Sequence, residues 1–249
     1  MGERIQIETA DGTAEAYVTG QAGAPGVLFY VDAIGLRPQI ETMADRIAGW
    51  GYVVLAPHVF YRDGSADELA PKGDLREEGG REAFFASGVM GRVGGLTPDK
   101  AQPDAEAWVR TLSEHAGDGA IGTTGYCMGA RLAVRTAGWY PDWVAAVGGW
   151  HGGGLVTDES DSPHLAVAAS NAAFAFGHAD QDRSMPPEAV EALGQALRDA
   201  GRPHTNEIFP GAPHGYSMAD TSSYHEEAAE RHFRELEALF GRTLRGGSR

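Results

Sequence analysis

The sequence of 249 residues has few of the features that mark specialised protein classes. It contains one cysteine, Cys127, which excludes an intramolecular disulfide framework and a zinc site built from several cysteines. No apolar run approaches the roughly 18 to 20 residues needed to cross a bilayer. The N-terminal residues also lack the basic-then-apolar pattern of a signal peptide. We therefore expect a cytoplasmic protein.

Positive charge is scarce as well. The chain has 20 Lys and Arg residues against 35 Asp and Glu residues, a net charge of -15. Such a surface repels phosphate backbones and anionic headgroups, so neither nucleic acid nor a membrane is an expected partner. No cluster of histidines and carboxylates has metal-binding spacing, and we expect no metal and no organic cofactor. The chain is expected to act as a monomer or a homodimer.

Strand-like and helix-like segments alternate along the whole chain. Short apolar runs such as Gly26 to Tyr30 are typical of strands buried inside a parallel sheet. The predicted strands are a hairpin of 4–8 with 13–18, then 26–30, 52–56, 120–126, 144–149, 172–177 and 205–209. The predicted helices are 38–49, 98–115, 128–138, 187–200 and 224–240. This order predicts a single α/β domain over 1–249, with a mostly parallel central sheet covered by helices on both faces.

Two segments interrupt this alternation. Residues 61–100 are polar and rich in glycine and charge, and we expect an irregular insertion near the active site. The tail, 242–249, is expected to be frayed.

The most informative motif is Gly125-Tyr126-Cys127-Met128-Gly129, which lies between an apolar strand and a helix. This is the pattern of a nucleophile elbow, with a thiol in place of the usual serine. Glycines two residues before and after the nucleophile let neighbouring backbones approach closely. A sulfur at the start of a helix is also stabilised as the thiolate by the helix dipole. Cys127 is therefore the predicted nucleophile.

A cysteine nucleophile needs a base, and the base needs a group that orients it. On α/β-hydrolase folds the chain order is nucleophile, acid, histidine. His214, between the last strand and the last helix, is the predicted base. For the acid, a spacing of three residues after Gly177 favours Asp180, and Asp182 is a real competitor because the loop length is uncertain.

The remaining histidines are weaker candidates. His225 and His232 lie on the last predicted helix, and we expect them to be solvated. His58 follows a strand end and could line a pocket. His151 begins a run of three glycines, which we interpret as a loop near the site that leaves room for substrate.

An oxyanion hole should combine two backbone amides. The predicted donors are Met128, next to the nucleophile, and Ala33, in the loop after the strand at 26–30. Asp32 either modulates the charge of the thiol or only shapes its turn, and the sequence leaves both interpretations open. The residues expected to line the substrate pocket are Asp32, Ile34, Tyr126, His151 and Tyr216.

Over about residues 3–240 the chain resembles the dienelactone hydrolase family. The matching segments are Asp32-Ala33-Ile34-Gly35, the elbow around Cys127, Gly177-His178-Ala179-Asp180, and Pro213-His214-Gly215. The resemblance implies an α/β-hydrolase fold with a Cys-Asp-His triad and no cofactor. It also implies an enzyme that cleaves a small ester or lactone through a thioester on the cysteine.

Two departures from the family pattern concern the substrate. Members have glutamate just before the first oxyanion donor, where this chain has the shorter Asp32. They also have an arginine shortly after the catalytic histidine that binds the substrate carboxylate, whereas no arginine or lysine follows His214 before Arg231. Candidates to replace it are Arg37, Arg81 and Arg92.

Other functions remain open at this stage. The same triad could carry out lactonisation, cyclisation, isomerisation or acyl transfer in a biosynthetic pathway. A non-catalytic relative that only binds a ligand is the other alternative.

Overall fold

An eight-stranded sheet organises the chain in a computed structural model, which describes residues 2–244. The strands are β1 (Glu3–Thr9), β2 (Gly12–Thr19), β3 (Gly26–Tyr30), β4 (Val53–Pro57), β5 (Ile121–Tyr126), β6 (Val144–Trp150), β7 (Ala173–Ala179) and β8 (His204–Phe209). Their order is β1-β2-β4-β3-β5-β6-β7-β8. The pairs β1–β2 and β2–β4 are antiparallel and all the others are parallel. The predicted mostly parallel sheet is thereby confirmed.

The helices, in chain order, are α1 (Pro38–Ala48), α2 (Ala66–Leu69), α3 (Gly80–Phe84), α4 (Met90–Gly95), α5 (Pro98–His115), α6 (Met128–Trp139), α7 (Pro187–Asp199) and α8 (Glu226–Thr243). A kinked segment, Phe85–Val89, in which Gly88 has a φ of 95°, joins α3 to α4, and a 3-10 helix (Pro163–Ala168) precedes β7. Helices α1 and α8 share one face of the sheet, where Arg46 pairs with Glu230. The right-handed crossovers place α5 and α6 on the opposite face.

The central strands lie between these two helical layers, and for that reason β3 and β4 are continuous apolar runs. Every residue of β3, β4 and β5 is buried. Because all the parallel strands point the same way, their carboxyl ends meet at one edge of the sheet. In open α/β sheets this edge is where ligands bind.

Three sequence-based expectations need correction. Residues 61–100 are irregular only in part, since they also contain α2, α3, α4 and the start of α5. The strand predicted to end at Gly177 continues to Ala179, because His178 and Ala179 still pair with β8. The last helix continues through Thr243, into the segment 242–249 that was expected to fray, and residues 245–249 lie outside the described part of the chain.

Candidate active site

The turn between β5 and α6 holds Cys127 in a strained conformation. Its φ of 54° lies in the left-handed region, which is uncommon for a residue with a side chain. A Cβ on Gly125 would collide with the backbone of Gly129, and a Cβ on Gly129 would collide with Val31 O. Both glycines of the motif are therefore required by close backbone contacts, and the predicted elbow is present in the fold.

His214 and Asp182 continue the arrangement that begins at Cys127. The Nε2 atom of His214 lies 3.0 Å from Cys127 Sγ. The other ring nitrogen, Nδ1, lies 2.6 Å from Asp182 Oδ2. The three side chains come from the loops that follow the carboxyl ends of β5, β7 and β8. The structure thus brings Cys127 and His214 together as expected.

The carboxylate beside His214 is Asp182, the competitor, and not the favoured Asp180. Asp180 instead accepts a hydrogen bond of 2.8 Å from the Gly211 amide. The reason is the extra length of β7, because counting three residues from Gly177 reaches only the first residue after the strand. The chain then needs two more residues, including Gln181 at φ 52°, before a carboxylate can turn toward His214.

Charge is distributed over this trio in a way that suits a nucleophile. Burial acts to lower the pKa of His214, but the negative charge of Cys127 and the hydrogen bond to Asp182 outweigh it and raise the pKa to about 10. Burial acts to raise the pKa of Asp182, yet the hydrogen bonds and charge of His214, with the hydrogen bonds from Ser184, lower it to about 2. Near neutral pH the imidazole is therefore charged, with the Asp182 carboxylate beside Nδ1 and the Cys127 sulfur beside Nε2.

A cavity of about 280 Å³ opens beside the thiol. The predicted oxyanion donors Ala33 and Met128 both line it, together with Cys127 and His214. The loop after β6 gives it space, because Gly153 and Gly154 lie in its wall. This glycine-rich loop therefore lies beside Cys127, as expected from the sequence.

A second, small cavity of about 20 Å³ adjoins the first one at Cys127. Three residues that were expected to line the pocket, Asp32, Ile34 and His151, lie in its wall. His151 is fully buried, with its Nε2 atom 2.8 Å from Ser217 Oγ. Burial and the charge of His214 lower its pKa well below the usual value, so it stays neutral.

Two other expected pocket residues, Tyr126 and Tyr216, belong to the core instead. Neither lines a cavity beside Cys127, and both are fully buried. Tyr126 stacks on Phe29 with 4.7 Å between the ring centroids. The Tyr216 hydroxyl donates a hydrogen bond of 3.0 Å to Gly177 O. Tyr126 is the last residue of β5, and neighbouring residues of a strand face opposite sides, so its place next to Cys127 in the sequence did not bring it into the pocket.

The other histidines have structural environments. His232 was expected to be solvated, but it is fully buried, with its Nε2 atom 3.3 Å from the Tyr126 hydroxyl. His225 caps the start of α8 by accepting a hydrogen bond from the Ala228 amide. His58 is 1% exposed, with its Nε2 atom 2.9 Å from Gly64 O, and lines neither cavity beside Cys127.

Two arginines face the larger of these two cavities, and only one of them was expected from the sequence. Arg81, from α3, and Arg131, from α6, both lie in its wall. Within residues 2–244 neither forms an ion pair with a carboxylate, and no carboxylate lines this cavity. Arg131 lies in the first turn of α6, four residues after Cys127, and this closeness in sequence to the predicted nucleophile could have revealed it.

The other two arginine candidates are engaged elsewhere. Arg37 is held by Asp32 and Asp220 and lines neither cavity beside Cys127. The guanidinium of Arg92 lies 5.5 Å from the ring centroid of Phe60. Of the three candidates proposed from the sequence, only Arg81 therefore reaches the cavity.

The part of the chain that the structure describes was also compared with the requirements of a metal site and of a membrane-spanning helix. Across 2–244, no three or more His, Cys, Asp and Glu side chains are grouped so that they could hold a metal ion. No helix in this range is both long and apolar enough to cross a membrane.

Comparison with known proteins places the chain in a family. Residues 14–244 match the profile of the Dienelactone hydrolase family. This chain belongs to the dienelactone hydrolase family. Two relatives provisionally named carboxymethylenebutenolidase, from Salmonella typhi and Escherichia coli (strain K12), are each 30% identical over 212 residues. The alignments cover 83% of this chain and 73% and 72% of the two relatives.

Solved structures agree on the fold. A provisionally named dienelactone hydrolase from Klebsiella pneumoniae superposes with a TM-score of 0.78 at 22% identity, covering 97% of this chain and 98% of that one. P91, a dienelactone hydrolase-like promiscuous phosphotriesterase from metagenomic libraries, also gives 0.78, at 17% identity and 98% coverage of both chains. The α/β-hydrolase fold and the enzyme class expected from the sequence, a carboxylic ester or lactone hydrolase, are confirmed.

Proposed function

We propose that this member of the dienelactone hydrolase family cleaves a small ester or lactone through a thioester on Cys127. One observation carries the proposal. The Cys127 thiol, the two ring nitrogens of His214 and the Asp182 carboxylate form an unbroken chain of contacts of 3.0 and 2.6 Å. This is the arrangement that nucleophilic catalysis needs, with the base oriented by a third group.

In the first half of the reaction, the Cys127 thiolate attacks the carbonyl carbon of the ester. The carbonyl oxygen becomes an oxyanion, to which the backbone amides of Ala33 and Met128 donate hydrogen bonds. When this intermediate collapses, the bond from carbon to the leaving oxygen breaks. The His214 imidazolium donates its Nε2 proton to that oxygen, and a thioester remains on Cys127. With a lactone, the released hydroxyl stays attached to the acyl group.

In the second half, His214 is neutral and accepts a proton from water. The resulting hydroxide attacks the thioester carbonyl, and the carbon–sulfur bond breaks. Cys127 leaves as the thiolate, which restores its pair with the protonated His214. Asp182 holds the imidazole in one orientation through both halves and stabilises its positive form. The products are a carboxylic acid and an alcohol, and the reaction needs no cofactor.

The charge of the cavity favours an acidic substrate. Arg81 and Arg131 face it without carboxylate partners, in a chain whose net charge is -15. Phe85, Met90 and Val93 supply an apolar wall. A small, partly apolar lactone with a carboxylate substituent fits both features. The name of the relatives, carboxymethylenebutenolidase, describes a substrate of that kind.

Mass spectrometry of the intact protein tests the covalent mechanism. After mixing with a small activated ester, we expect an acyl adduct on Cys127 that disappears as free acid accumulates. Cys127→Ala should form no adduct and lose turnover. Unchanged turnover in Cys127→Ala would disprove the thioester mechanism. An adduct released to an alcohol or amine instead of water would favour an acyl transferase, and no adduct and no turnover would favour a ligand-binding relative.

A further inference from the structure

The guanidinium of Arg37 joins two loops that meet at the active site. On one side it donates to both carboxylate oxygens of Asp32, at 2.7 and 3.1 Å, and to Gly35 O at 3.0 Å. On the other side it donates to both oxygens of Asp220, at 2.6 and 3.1 Å, and contacts Met218 Sδ at 3.4 Å. Arg37 therefore forms a bidentate ion pair with each of the two carboxylates.

This cluster lies in the protein interior. Arg37 and the Asp32 side chain are 4% and 6% exposed, while the Asp220 side chain is 32% exposed. Burial acts to lower the pKa of Arg37, but the charges of Asp32 and Asp220 outweigh it and raise the pKa above its usual value. Separating the partners would leave a buried charge without compensation, which is strongly unfavourable. The two loops are thus held in one relation to each other.

The first of these loops carries a proposed oxyanion donor. Asp32 Oδ1 also accepts hydrogen bonds from the amides of Ile34 and Gly35, at 3.0 and 3.3 Å. These bonds close a tight turn around Ala33. Since its oxygens are occupied by Arg37 and the turn, Asp32 is a structural group of this loop and not a free base beside Cys127.

The second loop carries the proposed base. Asp220 and Met218 follow His214 in the segment between β8 and α8. The small cavity at Cys127 lies between the two loops, with Asp32, Ala33 and Ile34 on one side and His214, Gly215 and Met218 on the other. A change in the separation of the loops would therefore change the geometry around the sulfur.

We propose that Arg37 is a positioning residue for this reaction. By clamping Asp32 to Asp220, it keeps the Ala33 amide directed at the oxyanion while His214 stays on Cys127. The inference rests on the proposed function, because it assigns Ala33 and His214 the roles given there. Arg37 does not line the cavity, so its effect is on the transition state and not on substrate binding.

Asp220→Asn tests the link between Arg37 and Asp220 with the least risk to folding. It keeps the shape of the side chain and removes one of the two charges that hold Arg37, on the more exposed side. We expect kcat to fall about 10- to 100-fold, since small displacements of an oxyanion donor have effects of that size. KM should stay within about twofold of wild type. Affinity for a trifluoromethyl ketone, whose adduct with a thiol resembles the tetrahedral intermediate, should fall by the same factor as kcat.

Two comparisons distinguish a displacement of the active-site loops from a smaller fraction of folded protein. All rates are expressed per acylated Cys127, so unfolded enzyme does not count. Asp161→Asn removes a carboxylate from Arg135, outside both cavities, and should leave kcat and ketone affinity unchanged. Asp220→Glu, which restores the charge, should recover part of kcat.

The proposed role of Arg37 is wrong if Asp220→Asn keeps the wild-type kcat and ketone affinity, or if only KM changes. Failure of the proposed function looks different, because wild-type enzyme would then form no acyl adduct on Cys127 at all.

Discussion

His214 lies 2.6 Å from Asp182 Oδ2 through Nδ1, while its Nε2 faces the thiol of Cys127 at 3.0 Å. Both ring nitrogens are thus committed to different partners, which fixes the orientation of the ring. Asp180, two residues earlier, is tied to the Gly211 amide and cannot serve His214 at the same time.

The first prediction separates the two aspartates. Asp182→Asn should lower kcat/KM by about 1,000-fold, because the imidazole loses the anion that orients it and stabilises its charge. Asp180→Asn should retain activity within about threefold, since it only weakens a hydrogen bond to the loop backbone. Steady-state kinetics on one activated ester provides the comparison. A larger loss in Asp180→Asn would return the acid role to that residue.

A second prediction concerns stability in acid. The pKa of Asp182 is lowered to about 2 in the folded chain from an ordinary value of 3.8. A lowered pKa means that its stabilisation is present above about pH 4 and is lost as the pH falls through about 2. Between pH 5 and pH 2, wild type should lose about 1 to 2 kcal/mol more unfolding free energy than Asp182→Asn. Urea unfolding across this range gives the difference, and parallel curves for the two proteins would contradict it.

A third prediction concerns the elbow glycines. Gly125→Ala should destabilise the protein by about 3 kcal/mol, because its Cβ would collide with the backbone of Gly129. The melting temperature should fall by roughly 10 °C. Gly91→Ala is the matched control, because nothing lies within 4 Å of its added Cβ in α4 and alanine favours the helix. Equal melting temperatures for the two variants would argue against the collision.

The fourth prediction concerns substrate charge. Arg131→Gln should lower kcat/KM about tenfold for an ester with a carboxylate substituent, since a hydrogen bond to a charged group is lost. The effect on the uncharged ester of the same shape should be less than about twofold. Arg135→Gln, one turn later on α6 and paired with Asp161, should affect both esters equally. If Arg131→Gln lowered kcat/KM equally for both esters, Arg131 would not bind the carboxylate substituent of the substrate.

The sequence was sufficient for the sheet and the elbow for a simple physical reason. Strands buried on both faces, such as β3 and β4, consist of apolar residues, and such short apolar runs can be recognised in the sequence. The elbow motif is compact in sequence, and Gly125 is required by a contact with Gly129, although Gly129 is itself required by a contact with the distant Val31.

The loops could not be predicted in the same way. The length of β7 depends on hydrogen bonds to β8, a partner some 30 residues away, and this length decided between Asp180 and Asp182. The burial of His232 depends on Tyr126 and Trp150, which pack against it from other elements. Arg37 and Asp220 are 183 residues apart, and no local pattern in the chain connects them.

The long separations in sequence between the residues of the site also determine when the site can form during synthesis of the chain. Chains emerge from the ribosome N-terminus first, and Cys127 precedes His214 by 87 residues. Until β8 and the loop that follows it dock, Cys127 lacks its contact with His214, and Arg37 lacks its contact with Asp220. If the proposed mechanism holds, a half-made chain therefore carries a thiol without its base, and the complete triad arises only with the last long-range contacts of folding.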